Sequence, residues 1–325
     1  MAFVQAIVRA YERAGADPSA ALAQARIAPA QVARADARVT AAQFEALSGC
    51  AMQQLDDEAL GWFARRLPWG SYGMLCRASI TAPTLGIALK RWCRHHRLLT
   101  DDVLLHLEAA GGTATLRIEE RRDLGGFREF CLVTLLRYVH GFACWAVDSR
   151  IALRQVAFPF AAPPHADVYP LLFPGTALFD QEQTGYTLDI AYLALPLVRD
   201  ESAMRAMLQR ALPLTVRQYR RDRLLVARVR ALLREDSAPA TAESVAQRLN
   251  LSVRTLHRQL KDEGASLQTL KDEARRAQAE ALLRHTRRPL KQIAQATGFR
   301  NEKSFARAFR GWTGIAPGAF RDGGV

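Results

Sequence analysis

Ala246-Gln-Arg-Leu-Asn250-Leu-Ser-Val-Arg-Thr-Leu256-His-Arg-Gln-Leu260 and Ala294-Gln-Ala-Thr-Gly298-Phe-Arg-Asn-Glu-Lys-Ser-Phe305-Ala-Arg-Ala-Phe309 are one pattern written twice. Ala246, Asn250 and Leu251 return as Ala294, Gly298 and Phe299 at an offset of 48; Leu256, Arg258 and Leu260 return as Phe305, Arg307 and Phe309 at 49, after one inserted residue. Self-similarity at a fixed spacing marks two copies of one supersecondary unit. In each copy an alanine sits where a second helix must cross closely, and four residues later Asn250 or Gly298 tolerates the left-handed backbone of a tight turn. Ser252 and Asn301 then stand at N-cap positions, and the pairs Leu256/Leu260 and Phe305/Phe309 give the second helix a buried face. Each copy is expected to be a helix-turn-helix.

In that motif the second helix enters the DNA major groove and reads base edges from its N-terminal half. With the leucines and phenylalanines inward, Arg254, His257 and Arg258 project outward from the first copy, and Glu302, Lys303, Ala306 and Arg307 from the second. Arginine and lysine donate to guanine O6 and N7, and a glutamate accepts from cytosine N4. The candidate DNA contacts are therefore Arg254, His257, Arg258, Glu302, Lys303 and Arg307. Any one of them, taken singly, is equally an ordinary solvated residue; Arg258 and Arg307 lead because they hold the same slot of both copies. Trp312 joins the four apolar anchors as core. Between the copies, 266–285 reads as a continuous helix of about 20 residues, roughly 30 Å long, able to hold two recognition helices about one DNA turn apart.

Charge supports this reading. The net charge is +13, and residues 215–325 carry 23 Lys and Arg against 11 Asp and Glu, whereas residues 1–214 carry 22 against 21. A local basic excess suits nucleic acid, an anionic membrane or an acidic protein, and the helix-turn-helix pattern selects nucleic acid. Upstream of the repeat, 215–234 reads as a basic amphipathic helix, with Val216, Tyr219, Val226, Val229 and Leu233 on one face and Arg217, Arg220, Arg221, Arg223, Arg228 and Arg230 on the others. Pro239 and small neighbours over 235–240 read as the interdomain linker.

The 325 residues are long enough for two cores. The first hundred residues show helical stripes: Phe3, Ile7, Val8 and Tyr11; Phe44, Leu47, Cys50 and Ala51; Leu85, Ala88, Leu89, Trp92 and Cys93. Alternation on both sides of Gly111-Gly112 predicts a β-hairpin, 127–147 a long apolar helix, and 156–160, 176–179 and 187–190 short strands. The fold class is thus an α+β N-terminal domain followed by an all-α DNA-binding domain with two helix-turn-helix units joined by a long helix. The boundaries are 1–200, an effector-binding and dimerisation domain; 201–236, basic helix and linker; and 237–325, the DNA-binding domain.

No apolar stretch approaches the ~20 residues of a membrane span, and the chain opens without a signal-peptide pattern. Five cysteines with no C-x-x-C pair argue against a disulfide framework or a zinc ribbon, so a reducing cytoplasm is expected. Cys93 with His95 and His96, and His140 with Cys144, are incomplete as metal sites, and packing is the expected role. Asp101-Asp102 and Glu119-Glu120 flank the hairpin and read as solvated strand ends. No nucleophile elbow, P-loop or dinucleotide fingerprint is present, so neither catalytic residues nor a cofactor are expected.

The C-terminal third resembles the AraC/XylS transcription regulators. The resemblance rests on Leu251-Ser-Val-Arg-Thr-Leu-His-Arg-Gln-Leu260, Asp272-Glu-Ala-Arg-Arg-Ala-Gln-Ala-Glu-Ala-Leu-Leu283, Ile293-Ala-Gln-Ala-Thr-Gly-Phe299 and the run from Ser304 through Trp312 and Pro317 to Arg321. Two positions depart from the family's habit, Arg300 after Gly-Phe and Ala316 before the late proline. Less specifically, Gly70-Ser-Tyr-Gly-Met-Leu-Cys-Arg-Ala-Ser79, Thr84-Leu-Gly-Ile-Ala-Leu89 and the aromatic stretch 156–197 resemble the effector domain of the subgroup that includes ornithine regulators, a domain often labelled arabinose-binding-like. The resemblance implies a small-molecule sensor that helps dimerise, with RNA polymerase as a partner if the protein activates; the label does not make arabinose the ligand. Trp69 and Tyr72, beside Gly70 and Gly73, are the candidate effector contacts.

The expectation is a cytoplasmic, sequence-specific DNA-binding regulator, a homodimer with a small-molecule effector and no membrane partner. The rival is a DNA-targeted enzyme, such as a cysteine alkyl acceptor fused to a helix-turn-helix domain, with Cys93 among Arg91, Arg94 and His95 as its only candidate nucleophile.

Overall fold

The computed structural model describes residues 1–209, 222, 224–235 and 241–322, and the chain divides into two compact units, Met1–Arg221 and Asp222–Val325.

The first unit opens with helices α1 (Ala2–Arg13), α2 (Ser19–Gln24), α3 (Pro29–Val32), α4 (Ala41–Gln54), α5 (Ser71–Ile80) and α6 (Leu85–His96). Each expected stripe faces inward: Ile7 and Tyr11, Leu47 and Ala51, and Leu85, Ala88, Leu89, Trp92 and Cys93 are buried. Strands β1 (Val103–Ala110) and β2 (Thr113–Glu120) form the expected hairpin, with Gly111 and Gly112 at φ 56° and 78°, the conformation a two-residue turn needs to match strand twist. Helix α7 (Arg128–Ala146) follows, then β3 (Leu153–Ala157), α8 (Tyr169–Leu172), β4 (Thr176–Leu178), β5 (Thr184–Asp189) and α9 (Glu201–Leu208).

The five strands make one sheet in the order β1-β2-β5-β3-β4, antiparallel except for β3 beside β4. Two strands start three residues earlier than their hydrophobicity suggests, because pairing decides the register: Tyr186 lies opposite both Leu116 and Val156, which draws 184–186 into β5 and 153–155 into β3. Helix α7 contacts β5 on one side and α6 on another and is buried on nearly every face, as its continuous apolar run requires.

The second unit is all helical: α10 (Leu225–Glu235), α11 (Ala242–Arg248), α12 (Val253–Asp262), α13 (Leu267–His285), α14 (Leu290–Ala296), α15 (Glu302–Thr313) and α16 (Pro317–Asp322). It holds two separate cores. Leu225, Val229, Val245, Ala246, Leu249, Leu256, Leu260, Leu267 and Leu270 form one; Ala279, Leu283, Ile293, Ala294, Phe305 and Phe309 form the other, with Phe299, Trp312 and Phe320 packed against it. Helix α13 contributes to both, its first turns to one and its last turns to the other.

The expected connecting segment 201–236 is divided between the units. Helix α9 belongs to the first, with Met204 fully buried and Leu208 against Gly73. Helix α10 belongs to the second, so this unit begins at Asp222 and not at 237. The reason is that Leu225 and Val229 complete the first helix-turn-helix core, while Arg228 and Arg230 pair with Asp222 (2.7 Å) and Glu273 (3.0 Å). The start of the expected basic helix, with Val216, Tyr219, Arg217, Arg220, Arg221 and Arg223, and the linker residues 236–240 lie outside the described residues.

A fragment 222–325 should therefore be more stable than 237–325. Leu225→Ala in the longer fragment should cost about 2–5 kcal/mol, the range for emptying a buried leucine site, read by urea denaturation. Equal stability of the two fragments would contradict this role for α10.

Candidate nucleic-acid interface and effector cavity

The two helix-turn-helix turns are built from the same hydrogen bonds. After α11, the Leu251 amide donates to the Ala246 carbonyl (2.8 Å) and the Asn250 amide to that of Gln247 (3.0 Å); after α14, Phe299 donates to Ala294 (2.8 Å) and Gly298 to Gln295 (3.0 Å). This is the Schellman closure, in which a left-handed residue past the helix end lets two orphan carbonyls be satisfied. Asn250 at φ 51° and Gly298 at φ 80° supply that residue. The next helices begin on side-chain caps, Thr255 N–H donating to Ser252 Oγ (3.1 Å) and Ser304 N–H to Asn301 Oδ1 (2.8 Å). The departure at Arg300 therefore leaves the cap intact, since Asn301 provides it.

These turns set the roll of α12 and α15. Leu256, Leu260, Phe305 and Phe309 are fully buried, and all six candidate contacts, Arg254, His257, Arg258, Glu302, Lys303 and Arg307, are exposed. Arg254 and Lys303 hold equivalent slots, as do Arg258 and Arg307 and, one turn on, Lys261 and Arg310. Ala306, the counterpart of His257, is half-buried, so the copies differ there. Among the described residues, none of these six cations makes an ion pair, whereas on the scaffold Arg228, Arg230, Arg248, Arg275 and Arg276 all do. The recognition helices thus keep donors free for phosphate or base acceptors, while the supporting helices use theirs internally.

In the first unit, Trp69 and Tyr72 line one cavity of about 290 Å³, together with Met52, Glu58, Cys76, Trp92, Tyr138 and Phe142 and, from α9, Met207 and Leu208. The loop that presents them is held by three consecutive carboxylates that the sequence reading passed over. Asp56 accepts from the Trp69 amide (3.0 Å); Asp57 from the amides of Ala59, Gly61 and Leu67; Glu58 from those of Gly70 (2.8 Å) and Tyr72 (2.7 Å). Burial raises the pKa of the Glu58 carboxyl, partly offset by those two amides. Only the run Asp56-Asp57-Glu58 ahead of a glycine-rich stretch hinted at this.

The other polar clusters are structural. His140 is buried, with Nε2 donating to the Ile151 carbonyl (2.9 Å) and Nδ1 accepting from Arg137 (3.2 Å), which fixes a neutral tautomer. Burial, reinforced by the Arg137 charge, lowers its pKa to about 3. The hairpin carboxylates are not merely solvated as expected: Glu120 pairs with Arg128 (2.7 Å), Glu119 with His106 and Arg121, and Asp102 with Arg122. Among the described residues no group of three or more His, Cys, Asp and Glu could hold a metal ion. The Cys93 thiol is buried and pushed up to about 12, the opposite of an activated nucleophile.

Residues 15–197 match the family described as the arabinose-binding domain of AraC transcription regulators, N-terminal, and residues 245–323 match a helix-turn-helix domain. The chain belongs to the AraC family. This AraC-family chain is 28% identical over 325 residues to the ornithine utilization regulator of Pseudomonas aeruginosa, covering 99% of this chain and 96% of that one. Over 82 residues, 25% of this chain and 30% of the other, it is 39% identical to the transcriptional activator RhaS of Escherichia fergusonii. The transcriptional regulator CdpR of Pseudomonas aeruginosa, a solved structure, aligns with 94% of this chain and 96% of its own at 22% identity, with a TM-score of 0.34, too low to bear on function. The protein is thus an AraC-family transcriptional regulator with an arabinose-binding-type N-terminal domain and a helix-turn-helix DNA-binding domain.

Acid should destabilise the first unit of this AraC-family regulator. His96 is fully buried with neither ring nitrogen hydrogen-bonded, and burial lowers its pKa to about 4. An unfolded histidine protonates near pH 6.5, so the unfolded chain binds more protons below that pH. The stabilisation held by neutral His96 and His140 is complete above about pH 6.5 and is lost progressively as pH falls toward 4 and 3. The melting temperature of the first unit should fall over that window, and His96→Leu should flatten the dependence; an unchanged slope would contradict it.

Proposed function

We propose that the protein is a sequence-specific DNA-binding transcriptional regulator that responds to a small molecule through its N-terminal domain. The observation that carries this is the pair of matched, unpaired cation slots, Arg254/Lys303 and Arg258/Arg307, on two identically closed turns. The α13 rod, at about 1.5 Å per residue over 19 residues, suits successive major grooves of one DNA face. His257 and Glu302 complete the proposed contact set, and Lys261 and Arg310 are placed for phosphate. Trp69 and Tyr72 are the proposed effector contacts.

Homodimerisation through the first unit, and contact with RNA polymerase if the protein activates, follow from the family resemblance and are proposed on that basis. No helix of the described residues is long and apolar enough to cross a membrane, in keeping with a cytoplasmic regulator. The alkyl-acceptor alternative is disfavoured by the raised Cys93 thiol.

The test is selection of a preferred site from random duplex DNA by the full chain, followed by Arg258→Ala and Arg307→Ala. Each should weaken specific binding by about 1–3 kcal/mol and relax preference at one or two base pairs, with little change in folding stability. A phosphate-only role would instead weaken all sequences alike and make the salt dependence shallower. No enriched sequence, or unchanged affinity and preference in both variants, would overturn the proposed readout.

A further inference from the structure

The cavity beside α5 is lined by apolar and aromatic groups, yet two of its buried hydrogen-bond donors are idle. Tyr72 Oη and Trp92 Nε1 have no hydrogen-bond partner among the described residues. The Tyr72 ring packs edge-on against Tyr138 at 4.7 Å, and Trp92 lies 4.7 Å from Phe142, so both donors are held on a wall of rings. A buried donor without an acceptor costs free energy, and a ligand that supplies the acceptor recovers it. The larger cavity near the N-terminus, about 870 Å³, offers no such pair: its His165 bonds to Glu129 and its Arg137 to His140.

From this geometry we infer that the 290 Å³ cavity takes an uncharged, ring-sized molecule whose carbonyl-type oxygen accepts from Tyr72 and Trp92. The inference rests on the proposed effector role of this unit and names the chemical class of the effector. Two classes fit badly. A sugar would bury several hydroxyls against Met52, Phe142, Met207 and Leu208, with few partners for them. A diamino acid would bury ammonium groups where the only acidic side chain of the lining is Glu58, whose two oxygens already accept from the Gly70 and Tyr72 amides. The chemistry of the cavity thus points away from both ligands that appear in the names of the matched family and relative.

The experiment is calorimetric titration of the full chain with coumarin, an uncharged fused-ring lactone with one carbonyl oxygen, and in parallel with L-arabinose and L-ornithine. Coumarin should bind with saturation, and Tyr72→Phe, which removes only the hydroxyl, should weaken it roughly threefold to tenfold. The two polar ligands should show no saturable heat at the same concentrations. No coumarin binding, coumarin binding indifferent to Tyr72→Phe, or Tyr72-dependent binding of arabinose or ornithine would each overturn the inference. DNA-site selection by the ligand-free chain is a separate readout, so failure of the ligand class and failure of the regulator reading are distinguishable.

Discussion

The second unit depends on one helix being shared by two cores that do not touch each other's apolar residues. Leu267 and Leu270 close the first core and Ala279 and Leu283 the second, so α13 is anchored at both ends by burial. A helix of 19 residues is marginal alone in water, and tertiary anchoring supplies most of its stability. Once the rod is fixed, each half needs only to set the roll of its outer helix. The Schellman turn and the N-cap do that, and the matched cation slots follow from it.

The C-terminal unit was legible because its two copies test each other. Ala246 and Ala294, Asn250 and Gly298, and Ser252 and Asn301 are different evidence for one geometry, and the structure realises all of it with the same hydrogen bonds. Helix α10 was hidden by its own charge. Arg228 and Arg230 invite a reading as a DNA-facing or connecting helix, and nothing local says that Leu225 and Val229 meet Leu256 and Leu260 from far along the chain. The strand boundaries were blurred for a related reason: alternation gives the faces of β3 and β5, but the partner strand decides which residues pair.

The cavity was legible only in part. Trp69 and Tyr72 stood out as aromatics among glycines, and both reach the same space. Its other walls come from α4, α6, α7 and α9, whose apolar residues look like ordinary core in sequence. The role of Asp56, Asp57 and Glu58 was equally invisible, because acceptors for backbone amides and solvated carboxylates are spelled alike.

Between its two anchored ends α13 runs through Glu273, Arg276, Ala277 and Gln278, which are exposed. Substitutions in this stretch are cheap, but changes of length are not. Inserting one residue would rotate everything beyond it by about 100° and advance it by about 1.5 Å, turning the second core's anchor residues away from Ile293 and Phe305 or swinging α15 around the rod. Seven added residues make nearly two whole turns and come back within about 20° of the original phase, at the expense of about 10 Å of length. The rod is therefore tolerant of drift in composition and intolerant of drift in length, a constraint of helical phase that no single side chain in it reveals.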